Sequence, residues 1–171
     1  MLEERSVSKG TPELRKRRKF RNIWIVKPGE NTNRGNGISV TSKLNEIKSI
    51  LNSHGYEHDR TFVLQKYIDN PLLYKQRKFD IRCFGMMTSV NQHLKGFCYD
   101  EGYIRTSSRE FNVKKLANKL IHLTNDAVQK KADDYGRYEV GNKVSFKEFQ
   151  SYLDEIYPEL KIDFLKHIFS Q

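Results

Sequence analysis

In the run KFDIRCF, Lys78, Asp80 and Arg82 alternate with Phe79, Ile81 and Cys83. On an extended chain successive side chains point to opposite faces, so the three charged residues project together and the others project away from them. Cations on such a face can meet phosphate, and a carboxylate between them can meet ribose or another ligand. A solvated surface of mixed sign would look the same. Upstream, Ile23, Ile25 and Lys27 share a face of NIWIVK, and Lys27 ends that run just before the polar loop Gly29–Gly37. Gly35 and Gly37 let the backbone adopt positive φ and bring N–H donors close to a phosphate, and Arg34 adds charge beside them. The loop fits neither Walker A nor Rossmann spacing, and any polar hairpin tip could carry its composition.

These residues need strands to hold them, and the surrounding pattern supplies strands. Asn22–Lys27 is rich in β-branched and aromatic residues and stops at Pro28. Ile38–Thr41 suits a returning strand. Ser42 is placed to cap a helix through Ser53, with Leu44, Ile47, Ile50 and Leu51 on one face. Thr61–Ile68 reads as a strand, Lys78–Val90 as a long one, and Asn91-Gln92 as a tight turn into His93–Tyr99. Gly102–Thr106 reads as a further short strand. Helices are expected over Val113–Leu120, Ser145–Ile156 and Glu159–Phe169, with Pro158 separating the last two. Strands first and helices later, without βαβ alternation, predict an α+β fold.

Composition sets the outer bounds. The 171 residues suffice for one hydrophobic core, and the 37% hydrophobic and 12% aromatic shares argue against disorder. A formal net charge of +10 favours polyanionic partners, and part of the surplus lies in Arg15–Arg21, read as a basic N-terminal arm covering residues 1–20. Cys83 and Cys98 are too few and too scattered for a disulfide framework or a zinc site, and are expected to be reduced and half-buried. The absence of an apolar stretch near 20 residues, and of a signal peptide, predicts a cytosolic protein without membrane association.

Five ordered motifs, WIVKPGENTNRGNGI, QKYI, KFDIR, YIRTSS and HLTNDAVQK, resemble the tubulin tyrosine ligase-like family over roughly residues 22–130. That resemblance implies an ATP-grasp fold, here in residues 21–171, and ATP with Mg²⁺ as cofactors. The implied reaction phosphorylates a glutamate side-chain carboxylate and then lets the amine of glutamate or glycine displace the phosphate. The implied partners are tubulin and microtubules, through their acidic tails, and a free amino acid. The implied setting is the cytoplasmic cytoskeleton, including the cilium or axoneme.

Residue by residue, the resemblance places Lys27 on an ATP phosphate and Arg34-Gly35 in the loop over the nucleotide. Gln65, Lys66, Tyr67 and Ile68 become the adenine hinge, largely through backbone groups. Lys78 and Asp80 contact nucleotide, with Phe79 between them counted in the same nucleotide-binding motif, Arg105 holds the incoming carboxylate, and Thr124 and Asn125 return to the ATP site.

Two departures stand out. Asp126-Ala127 replaces a hydroxyl-bearing pair found in some glutamylases, and the Mg²⁺-holding acidic strand and Glu-x-Asn motif have no counterpart after Lys130. No metal ligand is therefore assigned, and the chain is expected to lack the C-terminal portion of the fold. The competing expectation is a non-catalytic structural module on microtubules or axonemes. His122 is expected to be a hydrogen-bonded structural residue, and Tyr135 and Tyr138 to pack on the terminal helices. His54 with His58 is a poor metal pair, ADDYGRYEVGNK lacks the ligand pattern of a calcium loop, and no aromatic-basic motif supports nucleic-acid binding.

Overall fold

The computed structural model describes residues 21–29, 33–52 and 61–169, so the basic arm, Ser53, His54 and His58 lie outside the described residues. The described chain is a mixed α+β fold built on two antiparallel sheets. In the first, β1 (Trp24–Pro28) lies between β2 (Ser39–Thr41) and β3 (Phe62–Lys66) and runs antiparallel to both. The second contains β4 (Arg77–Val90), β5 (His93–Glu110) and the short β6 (Lys143–Ser145). Among the described residues, five α-helices follow or separate these strands: α1 (Leu44–Asn52), α2 (Lys119–His122), α3 (Asp126–Gln129), α4 (Phe146–Ile156) and α5 (Phe164–Phe169). Among the described residues, no helix is long and apolar enough to cross a membrane.

Each sheet has its own apolar cluster. Ile23, Ile25, Val40, Tyr67 and Leu123 pack behind the first sheet, with Phe111, Val113 and Leu116 against them. Behind the second, Tyr74, Ile104 and Val144 meet Phe146, Phe149 and Leu153 of α4 and Phe164 of α5. The α4 sequence explains its docking, because Phe146, Phe149 and Leu153 recur at helical spacing and bury one stripe. Its start is fixed by a capping box: the Ser145 hydroxyl accepts from the Glu148 N–H at 3.2 Å, and the Glu148 carboxylate accepts from the Ser145 N–H at 3.0 Å.

The long hairpin forms as expected. Asn91 (φ 49°) and Gln92 (φ 65°) both take left-handed backbone, the requirement of a two-residue turn whose twist suits the flanking strands. Gly102–Thr106 is not a separate strand, however. β5 continues through it to Glu110, pairing Ile81 with Ile104 and Asp80 with Arg105. A register shift after Arg82 absorbs extra β5 residues at Gly102. A Cβ there would collide with the Arg82 carbonyl and lie 2.6 Å from Phe146 Cζ, so only glycine lets the strand pass.

Other elements differ for local reasons. The helix expected over Val113–Leu120 is reduced to turns and α2. Asn112 Oδ1 accepts from the Lys114 N–H at 2.9 Å and Asn118 Oδ1 from the Leu120 N–H at 3.0 Å, offering the backbone partners that a continuous helix would have replaced. α1 begins at Leu44, one residue later than a Ser42 cap implies, and it is the Thr41 hydroxyl that takes the Lys43 N–H, at 3.1 Å. Of its expected apolar face, Ile47 is buried, while Leu44 and Leu51 are exposed. The last expected helix is split: a 3₁₀ turn at Pro158–Leu160 ends on left-handed Lys161 (φ 44°) before α5. Cys83 and Cys98 are both exposed free thiols, not half-buried ones.

Candidate functional site

The charged face of β4 meets β1, β5 and the segment after α2. Lys78 Nζ donates to the His122 carbonyl at 2.9 Å and to Tyr67 Oη at 3.3 Å, and sits 4.8 Å from the Tyr67 ring centroid. Burial depresses its pKa; the Asp80 carboxylate opposes that shift and the neighbouring charge of Lys27 adds to it. Lys27, at the end of β1, donates to Gln65 Oε1 on β3 at 2.8 Å. Two cations are thus held side by side, one of them partly desolvated, an arrangement suited to an anion carrying more than one charge.

Two residues along β4, Asp80 takes a two-point contact from Arg105, Nε to Oδ1 at 2.8 Å and Nη2 to Oδ2 at 2.6 Å. Direct pairing in the β4–β5 ladder places the two residues opposite one another. The Thr124 hydroxyl adds a 2.7 Å bond to Asp80 Oδ2. These bonds raise the Arg105 pKa, chiefly through Asp80.

Tyr67, His122 and Gln129 hold the framework. His122 Nδ1 lies 2.8 Å from Tyr67 Oη, and Nε2 lies 3.1 Å from the Lys115 carbonyl. A carbonyl can only accept, so Nε2 carries the proton and Tyr67 donates to Nδ1 while accepting from Lys78. His122 is therefore a buried structural residue, and burial lowers its pKa. Burial likewise raises that of Tyr67. Gln129 is fully buried. Its Oε1 accepts from the Ser108 N–H at 2.7 Å, and its Nε2 donates to the carbonyls of Leu120 (3.2 Å) and Leu123. One amide thereby ties β5 to the turn that presents Thr124 and Asn125.

The glycine-bearing loop reaches the same place. Gly35 (φ 82°) is buried, and a Cβ on it would stand 3.0 Å from Val128 Cγ2 and 3.1 Å from Asn125 Oδ1. Beside it, Arg34 lines a cavity of about 490 Å³ together with Arg105, Asn125, Asp126, Ala127 and Lys130. Asp126 is fixed there by the Tyr135 hydroxyl at 2.6 Å and by Lys130 at 2.9 Å.

Lys27 thus meets Gln65, Arg105 and Thr124 meet at Asp80, and Arg34, Arg105 and Asn125 line one cavity. The remaining side chains named from the sequence have other neighbours. Phe79 projects to the opposite face and packs on Phe149 at a ring-centroid distance of 4.9 Å, as strand alternation demands. Lys66 Nζ turns to the Arg21 carbonyl at 2.6 Å and lies 5.2 Å from the Trp24 ring centroid. The Tyr67 N–H is spent on the Ile23 carbonyl at 3.0 Å, and Ile68 is exposed. Arg82 is exposed beside the Phe84 ring.

One assembly has no counterpart in the sequence expectations. Arg77, 2% exposed, forms a two-point ion pair with Glu139 and donates to Thr106 Oγ1 at 3.2 Å and to the Ser107 carbonyl at 3.3 Å. Tyr138 lies over its guanidinium at 4.5 Å. Buried Asn142 adds bonds to the Thr106 carbonyl and to Ser108 Oγ. Tyr135 and Tyr138 thus serve this region and Asp126, not the terminal helices. Arg77, one residue before Lys78, lies on the opposite side of the strand from the charged face of KFDIR.

Lys27, Lys78 and Arg34 supply the type of charge that a polyphosphate such as ATP requires, while Gly35 itself packs on Val128 and Asn125. Mg²⁺ fits less well. Among the described residues no three histidine, cysteine or acidic side chains gather as a metal cage, and Asp80 and Asp126 already hold other partners.

A sequence model of the tubulin-tyrosine ligase family matches residues 4–171. The chain is 39% identical over 137 residues to tubulin glycylase 3D of Tetrahymena thermophila, covering 78% of this chain and 13% of that protein. It is 36% identical over 137 residues to tubulin glycylase 3B of Drosophila melanogaster, covering 78% and 18%. It is 35% identical over 142 residues to the probable alpha-tubulin polyglutamylase Ttll1 of Tetrahymena thermophila, covering 78% and 34%. The chain therefore spans about a third or less of the length of these relatives.

Proposed function

The chain belongs to the tubulin-tyrosine ligase family, and on that premise we propose that it carries the ATP- and amino-acid-binding part of a ligase joining glutamate or glycine to the acidic tail of tubulin. The observation that supports this reading is the convergence of Lys27, Lys78, Asp80, Arg105 and Thr124 beside the Gly35 loop. Residues 21–171 are read as ATP-grasp-like, behind a basic arm over residues 1–20. The setting is the cytoplasmic cytoskeleton, including cilia.

When bound, ATP supplies the phosphoryl group that activates an acceptor carboxylate. In this reading Lys27 and Lys78 oppose its phosphate charge, Arg34 and the Gly35 backbone close over it, and the β3 end borders the base. Arg105 orients a carboxylate, with Asp80 holding the guanidinium plane and Thr124 holding Asp80. Preset cations of this kind stabilise charge without reorganising as it develops. Among the described residues, no three histidine, cysteine or acidic side chains come together to form a Mg²⁺ shell.

A second reading is a non-catalytic module on microtubules. It is favoured by the commitment of Asp80 to Arg105 and Thr124, and of Asp126 to Tyr135 and Lys130. Calorimetric titration with a non-hydrolysable ATP analogue, with and without Mg²⁺, separates the two. The ligase reading requires binding that Lys27→Ala weakens while circular dichroism is unchanged. An absence of binding removes it.

A further inference from the structure

Lys78 stands at one end of a hydrogen-bonded chain that runs through Tyr67 and His122 to the Lys115 carbonyl. We propose that Tyr67 and His122 form a positioning pair that aims the Lys78 ammonium at the phosphates of a bound nucleotide, and that a proton on His122 Nδ1 disengages the pair. The inference rests on the ligase reading, which sets Lys78 against the nucleotide. It adds to that reading a task for two side chains and a sensitivity of the site to pH.

The chain has one direction. The Lys115 carbonyl fixes the proton on His122 Nε2, so Nδ1 is an acceptor and takes the single Tyr67 hydroxyl proton at 2.8 Å. The Tyr67 oxygen is thereby left with its lone pairs for Lys78, at 3.3 Å. A second Lys78 N–H goes to the His122 carbonyl at 2.9 Å, and the Tyr67 ring adds a cation–π contact at 4.8 Å. His122 thus holds the ammonium twice, by its carbonyl directly and by its ring through Tyr67. Of the three N–H bonds of the ammonium, one remains for an anion.

A proton on Nδ1 breaks this order. Both nitrogens of an imidazolium donate, so the Tyr67 hydroxyl must turn its proton away and its oxygen is shared between two cations. Tyr67 and His122 are both buried, where water screens like charges poorly. Other charged groups face the histidine less directly. Lys119 of its own helix and Glu46 of α1 line a cavity that His122 also lines. Asp80 on β4 is tied to Arg105, and Asp126 on α3 to Tyr135 and Lys130, while Arg109 and Glu110 of β5 line a separate cavity with Leu120 and Ile121. Of these charges, that of Lys78 bears on the His122 proton, in the same direction as burial and against the Lys115 carbonyl.

The test is imidazole NMR of the full chain, with the His122 signal assigned through His122→Gln, titrated with and without a saturating non-hydrolysable ATP analogue. Nucleotide is expected to lower the His122 midpoint by about half a pH unit, and affinity to fall roughly threefold as pH drops through that range, the same linkage read from its other side. Tyr67→Phe keeps the ring and cuts the chain, so it should weaken binding and abolish the nucleotide-dependent shift. Titration of the nucleotide's own phosphates is common to parent and variant and cancels in the comparison. A midpoint that stays put or rises on nucleotide binding, as direct attraction between phosphate and imidazolium would make it, overturns the inference while sparing the nucleotide reading, and this needs no variant. A shift that survives in Tyr67→Phe overturns it too. If no nucleotide binds at any pH, the ligase reading falls, and the Lys78 side-chain signals decide the pair. A step in them at the His122 midpoint that Tyr67→Phe removes sustains the hold on Lys78, and no step overturns it.

Discussion

Arg105 lies across Asp80 as a two-point fork, with both contacts at or below 2.8 Å and Thr124 closing the far side of the carboxylate. The side chains are partly solvated, at 22% and 36% exposure, so the attraction is screened. Such a pair sets the guanidinium plane through Nε and Nη2 and leaves Nη1 outside the contact, without the desolvation of a buried bridge.

The first expectation follows. In a double-mutant cycle of Asp80→Asn and Arg105→Gln, followed by urea denaturation, the coupling should be below about 1 kcal/mol. A coupling of roughly 3 kcal/mol, the scale of a broken buried pair, would mark the contact as structural.

Arg77 and Glu139 should behave in the opposite way. Their side chains are 2% and 11% exposed, and Thr106, Ser107 and Tyr138 enclose the guanidinium. Arg77→Met leaves Glu139 as an uncompensated charge and is expected to cost about 3–5 kcal/mol in denaturant unfolding. Arg77→Met with Glu139→Leu should recover much of the loss, because no charge then stays buried alone. Failure of the double variant to recover would show that the hydrogen bonds to β5 matter more than the pairing.

The contrast between these two pairs shows what the sequence could and could not reveal. Alternation along KFDIR placed Lys78 and Asp80 on one face and Phe79 in the core, because strand geometry leaves no other choice. Asn91-Gln92 was legible for the same reason: a two-residue turn constrains its own backbone. The Asp80–Arg105 contact was not legible, since it depends on a β5 register that Gly102 and the shift after Arg82 decide. Arg77–Glu139 joins residues 62 apart, and no local pattern announces a partner at that distance. The segment after Phe111 misled for a different reason. Its apolar spacing suits a helix, while Asn112 and Asn118 supply side-chain bonds that favour turns.

His122 gives a pH expectation. Burial depresses its pKa below the ordinary value of 6.5, and the nearby Lys78 charge acts in the same direction, while its bond to the Lys115 carbonyl opposes them. In a window just below 6.5 the unfolded chain binds this proton and the folded chain does not, so stability rises with pH there. The contribution is fully present above 6.5 and is lost as pH falls through the folded value. Urea midpoints measured from pH 5 to 7.5 should climb for the parent chain. They should climb less for His122→Gln, which keeps polar atoms but has no proton to gain. Parallel curves would mean that other groups dominate acid sensitivity in this range.

The last expectation concerns the acceptor. The chain carries 31 lysines and arginines against 21 acidic residues, and Arg34 and Lys130 line the cavity that Arg105 and Asp126 also line. An acidic tail entering there would meet these cations before any residue-specific contact, so association with microtubules should be largely electrostatic. Exposed charges are screened over about 8 Å at physiological ionic strength, and affinity in a co-sedimentation assay should therefore fall steadily as salt is raised. Removing the tubulin tails with protease should weaken binding in the same way, and Lys130→Glu should lower affinity for intact microtubules while changing little for tailless ones. Lys130→Glu also releases Asp126 from its ion pair, so an ATP-analogue titration of the variant guards against a general loss of the site. Binding to tailless microtubules that is undiminished and insensitive to salt would point to docking on the microtubule lattice, and with it to the structural module over the ligase.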